Sequence, residues 1–88
     1  MSYRDVSLVL GSSLCRTILE LLEKSERPLT PLEISKETKI ARSNVSTKLG
    51  DLNRFKLVVC VNPDRRKWRF YKLTTKGKIV LKEVRRIK

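Results

Sequence analysis

The alternation of apolar and polar positions predicts two helices in the N-terminal part of the chain. Apolar residues recur at helical spacing after Ser12-Ser13, which indicates a first helix over residues 13–24, capped by one of these serines. The segment Thr30-Pro31-Leu32-Glu33 has the pattern of a capping box with proline at the first helical position. A short second helix is therefore expected to begin after Thr30 and to end at about Thr38.

A third helix is predicted over residues 42–55, after a turn at Lys39-Ile40-Ala41. Val45, Leu49 and Leu52 are spaced so that they share one side of this helix, which must pack on the core. The opposite side is small and polar, without the long Glu and Lys side chains that usually fill a solvated helix. Such a side can enter a DNA major groove and reach base edges, and a plain solvated helix is the alternative interpretation.

A hairpin and a last helix are predicted in the C-terminal part. The β-branched run Leu57–Val61 predicts a strand, Asn62-Pro63-Asp64 a turn, and Trp68–Leu73 the return strand. We expect Trp68 to cover the core from this hairpin, which is the usual role of a lone tryptophan, and a surface role in stacking or wedging is the alternative. Thr74 is the predicted N-cap of the last helix. The apolar side of that helix is predicted to consist of Ile79, Val80, Val84 and Ile87.

The order of these elements predicts the fold class. Three helices, a hairpin and a further helix around one core indicate an α+β, mainly α chain with the winged helix-turn-helix plan. This plan has a three-helix core, a two-stranded β-wing and a C-terminal helix. Because 88 residues suffice for one modest core, we expect residues 1–88 to form a single winged-helix DNA-binding domain.

Charge favours a binding module over a mere packing unit. The formal net charge is +12, and residues 64–88 carry eleven Lys or Arg residues against two acidic ones. This asymmetry coincides with the hairpin tip, so it favours a polyanionic partner over a solubilising surface. The sequence has no apolar run long enough for a bilayer and no evident signal peptide. We therefore expect a cytoplasmic protein with no membrane partner.

The residue types that usually carry catalysis or metal binding are few. The chain has no histidine and two cysteines, too few for a zinc site built from these side chains alone. Its glycines are scattered and no carboxylates are paired at a recognisable spacing, so neither a phosphate-cradling loop nor an acid–base pair is predicted. We expect no enzyme, no metal and no cofactor. Cys15 and Cys60 are expected to be buried, and to form a disulfide only if the fold brings them together.

Two groups of residues are predicted to contact DNA. A recognition helix meets base edges with its N-terminal residues, where arginine can bind guanine and asparagine adenine. On helix 42–55 the candidates are Arg42, Ser43, Asn44, Ser46, Thr47 and Lys48. Basic side chains at a hairpin tip can follow the phosphates or enter the minor groove. On the wing, residues 62–69, the candidates are Arg65, Arg66, Lys67 and Arg69.

Four segments resemble archaeal winged-helix transcriptional regulators of the MarR/ArsR type. Residues 30–38 resemble the second helix of these proteins, residues 44–52 the recognition helix, residues 55–58 the exit into the wing, and residues 69–77 the closing strand. The last segment contains a Tyr-x-Leu-Thr-x-x-Gly pattern that is fairly specific in this context. The resemblance implies transcriptional regulation through double-stranded DNA, often by a homodimer on a pseudo-palindrome. The cysteine pairs with which some ArsR-type proteins sense metals are absent.

Dimerisation would use apolar residues near the two ends of the chain. The candidates are Val6, Leu8, Val9, Leu10, Val84 and Ile87. Other uses of the fold remain open at this stage. A protein–protein assembly module would need an apolar recognition-helix side, which this sequence lacks, and an architectural DNA binder would show no sequence preference. RNA binding would predict exposed aromatic residues for base stacking, and aromatic residues make up only 6% of the chain.

Overall fold

All six predicted elements are present in the computed structural model, which describes Ser7, Val9 and residues 11–87. The elements are α1 (Ser13–Lys24), α2 (Pro31–Thr38), α3 (Arg42–Arg54), β1 (Val58–Cys60), β2 (Tyr71–Leu73) and α4 (Thr75–Ile87). The described part of the chain is therefore four helices with one two-stranded antiparallel sheet, which confirms the predicted α+β winged-helix class. The helix bounds agree closely with the prediction, whereas both strands are shorter.

Side-chain caps explain where α1 and α2 begin. Ser12 Oγ accepts a hydrogen bond from Cys15 N at 3.3 Å, so the first of the two serines is the cap. At α2 the capping box is complete, because Thr30 Oγ1 accepts from Glu33 N at 3.2 Å and Glu33 Oε1 accepts from Thr30 N at 3.0 Å. The left-handed backbone of Lys39 (φ 64°) ends α2 and turns the chain toward α3.

The core lies between the helices and the inner side of the hairpin. α3 packs on it as predicted, since Val45, Leu49 and Leu52 are at most 1% exposed. Leu29 and Ile34 are also buried on either side of the α2 cap, as a hydrophobic staple requires. The two ends of the helix-turn-helix are thus fixed to the same core, which holds α3 with its polar side outward.

α4 packs through a side rotated from the predicted one. Val80 and Val84 are buried as expected, but Leu81 is buried with them. Ile79 and Ile87, predicted on the apolar side, are 48% and 53% exposed. Because residues 79–81 are apolar without interruption, two orientations satisfy the helical period, and the sequence pattern alone selects neither.

A close crossing between α4 and the chain entering β1 selects the orientation. A Cβ atom at Gly77 would stand 2.1 Å from Leu57 O, so only glycine allows this approach. Thr74 joins α4 to the chain before β1 at the same crossing. Its hydroxyl oxygen lies 2.7 Å from Lys56 O and 3.0 Å from Leu57 O, and it accepts a hydrogen bond from Gly77 N at 2.9 Å. The last bond confirms Thr74 as the N-cap of α4.

The hairpin is joined to the helix-turn-helix by one extra bridge. Its register pairs Val58 with Leu73, Val59 with Lys72, and Cys60 with Tyr71. On its other edge Tyr71 also pairs with Leu29, the residue before the α2 cap, through N···O distances of 2.8 and 3.0 Å. No sequence pattern predicts this bridge, because a single paired residue produces no alternation of apolar and polar positions.

Two further predicted burials, those of Trp68 and Cys60, are wrong. Trp68 does not cover the core, because the residue is 62% exposed, and its left-handed backbone (φ 58°) breaks the strand that was expected to begin there. β2 therefore begins at Tyr71. Cys60 is only half-buried, whereas Cys15 is fully buried as predicted, and both thiols are free.

The dimer candidates divide into three kinds. Val9 and Val84 are each 1% exposed and belong to the core of this chain, so they cannot supply a contact to a second copy. Ile87 is exposed and stays available. The other candidates lie outside the described residues; they are Val6, Leu8 and Leu10.

Candidate nucleic-acid interface

The outer side of α3 presents the six predicted recognition residues. Arg42, Ser43, Asn44, Ser46 and Thr47 are exposed, and Lys48 is half-buried. Thr47 Oγ1 donates to Ser43 O at 3.0 Å, so its proton is used within the helix. Within the described residues the side chains of Arg42, Asn44 and Lys48 make no hydrogen bond or ion pair. These three side chains can therefore turn all their donors toward a ligand.

The beginning of α3 has free backbone donors. Ala41 occupies the N-cap position and provides no side-chain hydrogen bond, unlike the caps of α1 and α2. The first N–H groups of a helix have no partner within the helix, and the helix dipole favours an anion beside them. Since Arg42 is the next residue, this end of α3 offers both amide donors and a guanidinium to a phosphate.

Asn62 organises the wing loop, residues 62–69. Its Nδ2 donates to Trp68 O at 2.9 Å, and its Oδ1 accepts from Phe70 N at 2.9 Å. Its main-chain oxygen accepts from Arg65 N at 3.1 Å. Main-chain pairing ends with the bond from Val61 N to Phe70 O at 2.8 Å, and beyond it the asparagine side chain joins the two limbs of the loop.

Arg69 stabilises the loop from within. Its Nε donates to Arg65 O at 2.7 Å and its Nη2 donates to Pro63 O at 2.9 Å. These two bonds use part of the guanidinium that the sequence assigned to DNA, so the side chain first holds the shape of the wing. Arg65, Arg66 and Lys67 are exposed, and their side chains make no hydrogen bond or ion pair within the described residues.

An open cleft of about 600 Å³ separates α3 from the wing. It is lined by Pro31, Arg42, Ser46, Arg66, Lys67, Trp68, Arg69 and Tyr71. Four of these eight residues are cations and none is a carboxylate. The structure therefore brings together predicted residues from α3 and from the wing on the two walls of one groove.

Half of the predicted contacts lie outside the cleft lining; they are Ser43, Asn44, Thr47, Lys48 and Arg65. Three lining residues were not predicted as contacts: Pro31, Trp68 and Tyr71. No sequence signal marks Pro31 or Tyr71, since one serves a helix start and the other a strand. The position of Trp68 among the basic residues of the loop did indicate a contact to a ligand, but the usual core role of a lone tryptophan was preferred.

Two strong electrostatic contacts lie away from the cleft. The Arg27 guanidinium hydrogen-bonds Glu33 and, together with the Thr30 N–H, lowers the pKa of that carboxyl to about 2. Arg85 Nη2 donates to Glu23 Oε1 at 2.7 Å, which raises the pKa of the guanidinium and links α4 to α1. Both contacts stabilise the scaffold and leave the cationic cleft uncompensated.

Neither a metal-binding cluster nor a membrane-spanning helix is found in the described part of the chain. Its His, Cys, Asp and Glu residues form no group of three or more that could hold a metal ion. None of its helices has the length and apolar character needed to cross a membrane.

The order of elements, the wing and the outward polar side of α3 define a winged-helix protein. No protein-family model and no curated protein sequence matches the chain. Among solved structures, the chain is similar to the crystal structure of a MarR family transcription regulator, with a TM-score of 0.74 and 24% sequence identity. The match covers 93% of this chain and 55% of that one, so the chain spans about half the length of that regulator. This likeness establishes the winged-helix fold.

Proposed function

We propose that the chain binds double-stranded DNA in the cytoplasm as a transcriptional regulator. α3 enters the major groove, and the wing, residues 62–69, contacts the backbone or the minor groove. The observation that carries the proposal is the cleft, where Arg42 on one wall faces Arg66 and Lys67 on the other with no carboxylate in the lining. A cationic surface of this kind attracts a polyanion. Because its cations lie on a helix and on a separate loop, the surface can contact two adjacent grooves of a DNA duplex. The likeness to a MarR family transcription regulator supports the regulatory role.

The residues on α3 supply sequence preference in this proposal. Arg42 and Asn44 have free donors for base edges, which arginine and asparagine distinguish through bidentate hydrogen bonds. Ser43 and Ser46 contact bases or phosphates, Lys48 contacts a phosphate, and Thr47, whose proton is bound to Ser43 O, contacts a base through its oxygen lone pairs or its methyl group. The wing cations Arg65, Arg66 and Lys67 position the domain on phosphates without reading sequence. Arg69 contributes through the shape it gives the loop and through its remaining donors.

A homodimer on a pseudo-palindromic site completes the proposal. Ile87 on α4 is the described candidate that remains exposed, and Ile79 on the same helix is exposed as well. Size-exclusion chromatography with light scattering measures the oligomeric state directly. A monomer at tens of micromolar would contradict this part of the proposal and leave the DNA contacts intact.

A salt series of DNA binding tests the proposed function. Fluorescence anisotropy should be measured with a labelled duplex from the region upstream of the coding sequence and with a random duplex of equal length. We expect log K to fall linearly with log salt, and the double variant Arg65→Ala/Arg66→Ala to reduce that slope by about two units. Arg42→Ala should lower the preference for the upstream duplex by about 1–3 kcal/mol.

Lys24→Ala is the matched control. Lys24 is an exposed cation at the end of α1, outside the cleft lining, so its removal should change neither the slope nor the preference. Unchanged affinity in the Arg42 variant and in the wing variant would refute the proposed interface. Binding without preference for the upstream duplex would indicate an architectural DNA binder. No binding at moderate salt would favour a protein–protein assembly module.

A further inference from the structure

We propose that Trp68 is an apolar contact to the deoxyribose edge of the DNA strand lying in the cleft. The wing would then hold DNA through a contact that salt does not weaken, beside cations whose contacts salt does weaken. This inference rests on the proposed function and adds to it one residue, one part of the nucleotide and one thermodynamic signature.

Trp68 combines two features that are unfavourable in the free protein. Trp68 is 62% exposed, the largest value among the exposed large hydrophobic residues of the described chain. Its backbone has φ 58°, a left-handed conformation that is a genuine outlier for a bulky side chain. A single exposed apolar residue is unremarkable by itself. An exposed tryptophan on a strained backbone is different, because an observed outlier of this kind is a pointer to function.

The loop is built to keep Trp68 in this conformation. Asn62 Nδ2 holds the main-chain oxygen of Trp68 at 2.9 Å, and Asn62 Oδ1 holds the N–H of Phe70, two residues later, at 2.9 Å. Between them, Arg69 is tied to the opposite limb through Pro63 O and Arg65 O. The backbone that carries the ring is therefore held in place before a ligand arrives, which lowers the entropy cost of binding.

The surroundings of the ring match a sugar–phosphate strand. Trp68 lines the cleft together with Pro31 and Tyr71, and the cations of the same lining are Arg42, Arg66, Lys67 and Arg69. Apolar and cationic groups thus share one groove, as deoxyribose and phosphate alternate along one strand. Because Trp68 belongs to the same lining, a strand whose phosphates meet the cations of the cleft would pass beside the ring with its sugars. This position favours the sugar edge over insertion between stacked bases.

The test uses the fact that Trp68 is the only tryptophan of the chain. Tryptophan emission of the wild-type protein, titrated with an unlabelled duplex, then reports on this one ring without a label. We expect a shift or quenching of the emission on binding, and protection of the ring from the neutral quencher acrylamide. In anisotropy measurements Trp68→Ala should bind roughly tenfold more weakly, the effect of covering about half of the exposed ring.

The salt dependence separates this contact from a charge effect. Trp68→Ala should weaken binding by the same factor at every salt concentration and leave the slope of log K against log salt unchanged. Arg66→Ala, two residues away, should instead lower the slope by about one unit. Trp68→Phe keeps an aromatic ring and should retain most of the affinity. Circular dichroism melts of all variants check that the fold is intact, as expected for an exposed side chain.

The outcomes of the inference and of the proposed function can be told apart. Wild-type protein that binds no duplex overturns both. Wild-type protein that binds, with Trp68 still open to acrylamide and with Trp68→Ala binding equally well, overturns the inference alone. A reduced salt slope in Trp68→Ala also overturns it, because the substitution would then act through the wing cations. Protection of the ring with a salt-independent loss of affinity supports it.

Discussion

Replacing Gly77 with alanine adds one methyl group and should lower the free energy of unfolding by about 2–6 kcal/mol. The added Cβ would stand 2.1 Å from Leu57 O and 2.8 Å from Leu73 Cδ1. The leucine side chain can turn aside, but the backbone oxygen cannot do so alone. Because carbon–oxygen contacts in proteins are seldom closer than about 3.3 Å, α4 and the entry to β1 must separate by about 1.2 Å.

The magnitude follows from what this separation breaks. Leu57 O accepts hydrogen bonds from Thr74 N at 3.1 Å and from Thr74 Oγ1 at 3.0 Å. Each weakened hydrogen bond costs about 0.5–1.5 kcal/mol, and overpacking a close contact adds about 1–3 kcal/mol. A domain of this size is stable by only about 5–15 kcal/mol, so the loss would be a large fraction of the total.

Urea unfolding followed by circular dichroism measures the effect, and Gly50→Ala is its control. Gly50 lies in the middle of α3 with nothing within 4 Å of the position of its missing Cβ. Its replacement should therefore stabilise the chain by about 0.5–1 kcal/mol through helix propensity. If Gly77→Ala unfolds at the same urea concentration as the wild type or at a higher one, the close crossing of α4 over Leu57 is refuted.

Two further predictions concern ionisable groups. Glu33→Gln should destabilise the chain by about 0.5–1 kcal/mol at neutral pH, since it removes the charge that Arg27 and the Thr30 N–H stabilise, in a largely solvent-exposed setting. Folding lowers the pKa of Glu33 to about 2, so the loss of unfolding free energy in the variant should be complete above about pH 4.5 and should vanish as the pH falls toward 2. Urea titrations in which this loss grows on acidification would contradict the prediction. Burial raises the pKa of the Cys15 thiol, so a thiol reagent should modify only Cys60 in the native protein and both cysteines in urea. Rapid native modification of two thiols per chain, counted by mass spectrometry, would show that α1 opens easily.

The helices could be predicted because their ends carry their own signals. α1 has the predicted bounds, Ser13–Lys24, and its cap Ser12 was one of the two serines proposed. α2 begins at a complete capping box, a local arrangement that four consecutive residues specify. In both cases the residues that determine the structure are neighbours in sequence, so no knowledge of the rest of the fold is required.

The position of the wing in the chain could be predicted from the sequence, but its conformation could not. Asn62 was assigned to a turn, while in the structure its side chain bonds residues six and eight positions later. Both strands are shorter than predicted, and Trp68, which these contacts hold, has a left-handed backbone and is exposed. Nothing in the apolar character of tryptophan distinguishes this outcome from a place in the core. The cleft could not be predicted either, because its walls come from distant parts of the chain.

The Tyr-x-Leu-Thr-x-x-Gly pattern gains a physical explanation from the structure. Leu73 enters the core, Thr74 caps α4 and binds the chain before β1, and Gly77 permits that chain to pass close by. Tyr71 joins β2 to Leu29. The pattern thus describes one junction at which the strand, the last helix and the helix-turn-helix meet, rather than four independent preferences.

The bridge between Leu29 and Tyr71 has a consequence for how a duplex would be accommodated. Because the base of the wing is bonded both to β1 and to the residue before α2, the wing cannot pivot away from α3 without losing main-chain hydrogen bonds. The distance between α3 and the wing would then stay constant on binding, and the grooves of the duplex would have to change their width to fit it. Sequences whose grooves deform easily to that width would be preferred even at base pairs that no side chain touches.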